Sequence, residues 1–453
     1  MTRALPVFLA ISLLGWSCTT PPAATPPKSP PQGSLAEMNG DVFDQVWVVI
    51  RDTHPDPSIN LGTWNDVRLR FRAQAVQSHN DAELRATLDD MIETLGESHF
   101  AIIPSAVSGT AEASGGWSGM TLQIIDGQAI VTHVAPGSPA SAAQIKTGWE
   151  ITQSEGDSVG AILVPFGEPR TSLERLSRER ALAGFLGGRP GMTPTYTFVD
   201  SGGATHTTHL TFEDPPGEAV TLGNLPPFPA DLESKWLSTA EIAALGLDPT
   251  ACDRIGYLRF SVWMTPLAAR IDDALFGFRG ADGIVIDLRG NPGGLGFMAT
   301  GVAGHFLAEP TSLGTMRTRD SELSFKTNPR IVDRTGNTVG TFGGPLALLI
   351  DAHTGSTSEI FAAGLVDAKR AECFGRTSAG AALPATTHTL KNGDVLLHAI
   401  GDFRTPSGVS VEGAGVSQSV GSAPARADYT ASPDPELRDA LAWIEQHRRK
   451  PTQ

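Results

Sequence analysis

Cysteine is scarce: the 453 residues hold three, Cys18, Cys252 and Cys373, too few for the disulfide scaffold of a small secreted domain. Cys252 and Cys373 can pair in an oxidising compartment, but spacing does not decide it. Neither sits in a nucleophile-like or metal-ligand context, and buried free thiols are the simpler reading. Charge is thin as well, with 18% charged residues and 34 Lys and Arg against 49 Asp and Glu, a net charge of −15 spread without long runs. Such a surface does not track phosphates, which excludes nucleic acid as a partner. No His-Glu-x-x-His run occurs, and His206 and His209 stand three apart in a strand-like segment, on opposite faces. No catalytic metal or other cofactor is expected. With 40% hydrophobic residues the chain reads as a folded protein, long enough for about three domains at ~150 residues each.

The N-terminus carries Arg3, an apolar run from Leu5 to Trp16 broken only by Pro6 and Ser12, and then Ser17-Cys18. This pattern is a secretory signal. The run falls short of the ~20 apolar residues of a membrane-spanning helix. The cysteine directly after it resembles a bacterial lipoprotein signal, which implies a lipid anchor at Cys18, the only expected contact with a membrane. It also implies an exported protein of the cell envelope, facing the periplasm or the exterior. An ordinary secretory peptide cut a little later is the alternative. Residues 19–35 are proline-rich and read as an extended tether.

Between Met38 and Leu95 apolar residues recur at helical spacing, as in Val42, Val46, Val49 and Ile50, and again in Leu84, Leu88, Met91, Ile92 and Leu95. The loop His54-Pro55-Asp56-Pro57 interrupts them. From about Gly115 to Phe212 the texture changes to short alternating strands and glycine turns, including Met120–Ile124, Ala129–Thr132 and Tyr196–Val199. Beyond Ile255, continuous apolar runs such as Ile284-Val285-Ile286 and Leu346–Ile350 alternate with helical patterns, as expected for strands covered on both faces. A last amphipathic helix is expected over Pro435–His447. The resulting division is 1–18 signal, 19–35 linker, 36–112 helical domain, 113–214 β-rich domain, 215–430 α/β core and 431–453 C-terminal helix and tail.

Two stretches carry candidate chemistry. Ile350–Leu365 reads as a buried strand followed at once by a helix, with Ser356 at the turn. Ser-x-x-Glu, here Ser356 and Glu359, is a capping box. The same geometry places a hydroxyl in the positive potential of a helix N-terminus, where negative charge developing in acyl transfer is favoured. The motif alone does not separate the two readings. The second stretch, Asp287-Leu288-Arg289-Gly290-Asn291-Pro292-Gly293-Gly294, delivers a glycine turn to the carboxyl end of a strand. Gly293 and Gly294, with the N–H of Thr357, are candidate oxyanion donors. The spacing is not Gly-x-Gly-x-x-Gly, which disfavours a dinucleotide site.

Together these motifs resemble the family of tail-specific and C-terminal processing serine peptidases. The resemblance spans most of the chain after the linker and implies a multidomain α/β fold: an N-terminal helical domain, a PDZ-like domain and a ClpP/crotonase-like core. Residues 113–214 resemble a PDZ domain through Gly119-Met120-Thr121-Leu122, its carboxylate-binding turn, and through Gly137–Gly148. Trp149-Glu150 departs from the aspartate usual there. The PDZ resemblance implies polypeptide partners whose C-termini meet the N–H groups of residues 119–122. Many members use a Ser–Lys dyad, but Phe374-Gly375-Arg376-Thr377-Ser378-Ala379-Gly380-Ala381 puts Ala381 in the lysine's place, and Lys369 and Lys391 match no motif.

The tricorn-like branch uses histidine instead, and its pieces have counterparts here. They are Ser98-His99 within Leu95–Phe100, Ser356, and Glu412 within Ser407–Val416, although Ser417-Gln418 replaces the usual Pro-Asp after them. On that resemblance Ser356 is the nucleophile, His99 the base, and Ser98 and Glu412 the groups that orient the ring. His353 is a rival base, and a helix C-terminal cation is the plain reading of His99. The expected function is therefore an exported serine endopeptidase. The alternative is an inactive protein of the same fold, serving as envelope scaffold or apolar-ligand carrier. Oligomeric state is not legible.

Overall fold

The computed structural model describes residues 34–60, 62–105, 115–223, 225–250 and 254–448. Cys18, the signal, residues 19–33 of the linker, and Cys252 lie outside the described residues.

Three helices, Leu35–Thr53, Thr63–Gln77 and Asp81–Glu93, open the fold. Ser34 and Glu37 form a reciprocal capping box at the first, and Asn80 caps the third. Their apolar faces meet in a core of Val42, Phe43, Val46, Ile50, Trp64, Phe71, Leu84, Leu88 and Met91. His54 ends the first helix, and Pro55 follows it where helix is disfavoured. The bundle is tied to the rest of the chain by a three-stranded sheet, Ala101–Ile103, Val395–Ala399 and Ala385–Thr389, and by Arg85, which forks onto the buried carboxylate of Asp394 at 2.8 and 2.9 Å.

Residues 120–209 form a second sheet in the order Met120–Ile125, Gln128–Val134, Glu150–Ser154, Thr195–Val199, Thr205–His209, with the short strand Asp157–Ser158 against the third. Met120–Ile125 is an edge strand. The helix Ser172–Leu186 contacts it, and Glu179 of that helix accepts the Ile124 N–H at 2.8 Å. The other end of the same helix is hydrogen-bonded to the segment after Glu412, through Ser172 to the carbonyls of Gly413 and Ala414.

The central sheet runs Leu232–Trp236, Ile255–Phe260, Gly283–Asp287, Leu346–Ile350, Glu372–Gly375, the last four parallel. Alternation decides its two faces. Ile284, Ile286, Leu346, Leu348 and Ile350 enter one core with the helices Thr265–Gly277, Gly296–Ala303 and Thr357–Asp367. Val285, Ala347 and Leu349 enter the other, which the helix Pro435–His447 closes through Ala440, Leu441 and Ile444. The unbroken apolar runs thus belong to strands buried on both sides. Parallel strands send their carboxyl ends the same way, so the turns after Asp287 and Ile350 emerge side by side.

The helix Thr357–Asp367 is held against the strand Ser312–Arg317 at a glycine. A Cβ on Gly364 would lie 2.6–2.7 Å from the Cβ, Cα and carbonyl oxygen of Leu313. Gly364→Ala is expected to destabilise the fold by about 1–3 kcal/mol, the usual cost of overpacking. A lower midpoint in urea unfolding would show it, and a midpoint at or above that of the parent chain would count against this packing.

Candidate active site

Ser356 sits at a sharp turn. After Ile350, Asp351 accepts hydrogen bonds from the N–H groups of Gly290 and His353 and from the Thr354 hydroxyl, and the helix begins at Thr357. Ser356 is 1% exposed and adopts φ 50°, ψ −116°, a region rarely occupied by a residue with a side chain. A strained serine between strand and helix presents its hydroxyl outward from the backbone.

The expected capping box is only half formed. The Glu359 N–H donates to the Ser356 carbonyl at 2.8 Å rather than to its Oγ. Glu359 does reach back, accepting the Ser356 N–H at 3.1 Å. With this positive φ, Ser356 Oγ makes no side-chain cap hydrogen bond to the helix's first turn.

The glycine turn lies against this serine. A Cβ on Gly293 would fall 2.7 Å from Ser356 Cβ and 3.0 Å from Thr357 N, so only glycine permits the approach. Three bonds staple the segments together: Gly355 N–H to the Asn291 carbonyl at 3.0 Å, Thr357 Oγ1 to the Gly294 carbonyl at 2.9 Å, and Ser358 Oγ to the Asn291 carbonyl at 3.2 Å. Of the three expected oxyanion donors, Gly293 already gives its N–H to Asn291 Oδ1 at 3.0 Å. Below the turn, Asp287 is held well under the usual carboxylate range despite complete burial, because Arg289 and Arg259 face it and Arg289 and Tyr257 hydrogen-bond to it.

Ser98 and His99, adjacent in sequence, meet the distant Glu412 in space. Ser98 Oγ is 2.7 Å from His99 Nδ1 and donates to Glu412 Oε2 at 2.9 Å, while the Ser98 N–H donates to Glu412 Oε1 at 2.8 Å. His99 has φ 62° and follows Gly96 at φ 65°, so the histidine projects from a tight turn.

One segment connects the two halves. The Ser356 N–H also donates to the Ala381 carbonyl at 2.8 Å. The N–H groups of Gly380 and Ala381 donate to Glu359 at 2.7 and 2.9 Å, and the next N–H, of Ala382, donates to Glu412 at 2.9 Å. Burial pushes both carboxyls up to about 7, against the pull of their donors, and the charge of Glu412 adds to the rise at Glu359. In the sequence Glu359 reads as a cap and no more. Its signal as a hub, a carboxylate within an otherwise apolar helix, was present but shared with every capping box.

The remaining candidates fall elsewhere. The side chain of His353 enters no hydrogen bond of the described residues and lies near Glu179, whose carboxyl burial pushes up. Lys391 pairs with Asp41 at the surface. His206 bonds Asp200 at 2.7 Å and stacks on Trp149, whereas His209 bonds Thr195. Among the described residues no group of three His, Cys, Asp or Glu is arranged to hold a metal ion. Cys373 is a buried free thiol. Of the turn 119–122, the Gly119 carbonyl is taken by Ala135 N–H and the Met120 N–H by Ser118 Oγ at 3.3 Å.

Residues 254–421, which include the glycine turn, Ser356 and Glu412, match the model of peptidase family S41. The chain is a serine peptidase, similar over this stretch to family S41. It is 24% identical over 371 residues to the carboxyl-terminal-processing protease of Synechocystis sp., covering 80% of this chain and 76% of that one. In fold it is similar to a photosystem II D1 C-terminal processing protease, with TM-score 0.54 and 19% identity over 90% of this chain and 96% of that one. It is also similar to mature CPAF, with TM-score 0.58 and 13% identity over 91% and 98% of the two chains.

The peptidase's two raised carboxyls have a consequence for stability. A folded pKa of about 7 at Glu359 and Glu412 lies above the ordinary 4.5, so the folded state binds protons more tightly than the unfolded one. Their stabilisation is complete below about pH 4.5 and is lost as the pH rises through 7. Glu359→Gln cannot titrate and should flatten, though not abolish, the fall in urea midpoint between pH 5 and 8, since Glu436 is also raised to about 7. An unchanged slope in the variant would contradict the assignment.

Proposed function

We propose that this peptidase is an exported endopeptidase that cleaves polypeptides by acyl transfer, with Ser356 as nucleophile and His99 as general base. The observation that carries the reading is the Ser98–His99–Glu412 relay. A serine hydroxyl is a poor nucleophile unless a base takes its proton, and the base must hold the right tautomer. Ser98 has one proton. When Glu412 is ionised that proton goes to Oε2, so Ser98 Oγ can only accept from His99, which fixes the ring's proton on Nδ1. Nε2 is then basic, as proton abstraction from Ser356 requires. When Glu412 is protonated the relay can reverse, with Glu412 donating to Ser98 and Ser98 to Nδ1, and Nε2 then carries the proton. The carboxyl at about 7 therefore sets the tautomer of the base.

In the first step Ser356 Oγ attacks the scissile carbonyl as His99 takes its proton, and the imidazolium then returns it to the leaving amine. Water, activated by the same ring, releases the acyl group. The N–H groups of Gly294 and Thr357 are the oxyanion donors that remain once Gly293 is committed to Asn291. Arg289 and Asp287 support the turn that carries them.

The edge strand Met120–Ile125 beside the helix Ser172–Leu186 supports a PDZ-like groove that takes a polypeptide end on residues 119–122. Glu179 closes this edge at Ile124, so pairing is limited to the residues before it. Export and a lipid anchor at Cys18 rest on the sequence of residues 3–18. The names of the relatives point to carboxyl-terminal processing, which fits such a groove.

Labelling by a fluorophosphonate tests the reading. Ser356→Ala should abolish labelling, and a mutant that labels like the parent would refute the nucleophile. Glu412→Gln should slow it by at least about 10²-fold, as tautomer loss does in a triad, and should remove any rise in rate through about pH 7 that Glu412 sets. A parent chain that never labels would favour the inactive scaffold.

A further inference from the structure

The turn that carries His99 is gripped from two sides, and only one of them belongs to the relay. On one side Glu412 takes both the N–H and the hydroxyl of Ser98. On the other stands His54, at the end of the first helix, 3% exposed and outside every motif of the sequence. Its Nε2 lies 2.8 Å from Glu97 Oε2, and its ring stacks on Phe100 with centroids 5.9 Å apart and planes at 15°. One imidazole thus touches the residues immediately before and after the Ser98-His99 pair.

The tautomer of this ring is fixed locally. The Asp56 N–H approaches His54 Nδ1 at 3.1 Å, closer than the Asp56 carbonyl at 3.3 Å, which favours Nδ1 as acceptor and Nε2–H as donor to Glu97. The backbone beneath is anchored to the α/β core, because Arg319, from the turn between the strands Ser312–Arg317 and Glu322–Lys326, donates to the carbonyls of Arg51 and His54 at 2.5 Å each. The grip has something to hold. Gly96 and His99 both have left-handed φ, and a histidine in that region relaxes unless its surroundings over-determine it.

From this geometry we propose that His54 is a positioning residue for the reaction, which holds the Glu97–Phe100 turn so that the His99 ring meets Ser356. The inference rests on the reading of His99 as base. His54 does not touch the substrate or the reacting atoms; it acts through Glu97 and Phe100. Loss of its hydrogen bonds leaves Ser98 tied to Glu412 but frees the turn to rotate the imidazole, and a displacement of about 1 Å costs ~10²-fold in rate.

The test uses the full chain and a fluorophosphonate, comparing His54→Phe, which keeps the stacking ring, with His54→Gln, which keeps a donor toward Glu97. The maximal labelling rate of H54F should fall ~10–100-fold with little change in the half-saturating probe concentration. H54Q should recover to within about threefold of the parent. A folded H54F that labels at the parental rate overturns the proposal, as does a folded H54Q as slow as H54F. If H54F does not fold, Glu97→Ala carries the test, since Glu97 is 35% exposed in its side chain and leaves the buried ring in place. E97A should show the same loss, and parental labelling by E97A overturns the proposal. Ser356→Ala, run alongside, separates the two levels. Labelling that survives S356A refutes the nucleophile itself, whereas labelling lost in S356A but untouched in H54F refutes only the role of His54.

Discussion

Three consecutive backbone N–H groups, of Gly380, Ala381 and Ala382, are held by two buried carboxylates, and the candidate site hangs from them. Glu359 takes the first two together with the N–H of Ser356, and Glu412 takes the third together with the N–H and hydroxyl of Ser98. The proposed nucleophile and the proposed base come from elements more than 250 residues apart, and this short segment fixes both to one frame. A carboxylate accepting several N–H bonds tolerates burial that would otherwise neutralise it. Both lie near 7 because desolvation outweighs the pull of the donors.

On the proposed reading the same segment lies where no lysine is needed. Ala381 stands where the Ser–Lys members carry their base, and here it contributes only backbone, a carbonyl to Ser356 and an N–H to Glu359. Its side chain packs with Ala379 and Leu176, the last from the helix that borders the proposed peptide groove. The proposed base, His99, comes instead from the turn that follows the helical bundle.

Much of this was legible in the sequence, for physical reasons that differ by element. Leu346–Ile350 read as a buried strand because both of its faces are covered and no polar residue interrupts it. The helix Pro435–His447 read correctly from one apolar stripe and a proline at its start. Ser98, His99, Ser356 and Glu412 were singled out through family motifs, since no local pattern links residues so far apart. What escaped was conformational or tertiary. The positive φ of Ser356, whose hydroxyl makes no helix-cap bond, leaves no mark in Ser-x-x-Glu. The bond from Gly293 to Asn291 could not be told from a free oxyanion donor. His54 read only as part of a proline-broken loop, because its partners Glu97 and Phe100 are more than forty residues away.

The central claim is that Ser356, His99 and two backbone N–H groups form one acyl-transfer site. A crystal structure of the protein after reaction with a fluorophosphonate measures this directly. Expected are a covalent bond from phosphorus to Ser356 Oγ, the phosphoryl oxygen within hydrogen-bond distance of the Gly294 and Thr357 N–H groups, and the His99 ring beside the adduct. An adduct on another residue, or one on Ser356 whose oxygen meets neither N–H while His99 points away, would contradict it.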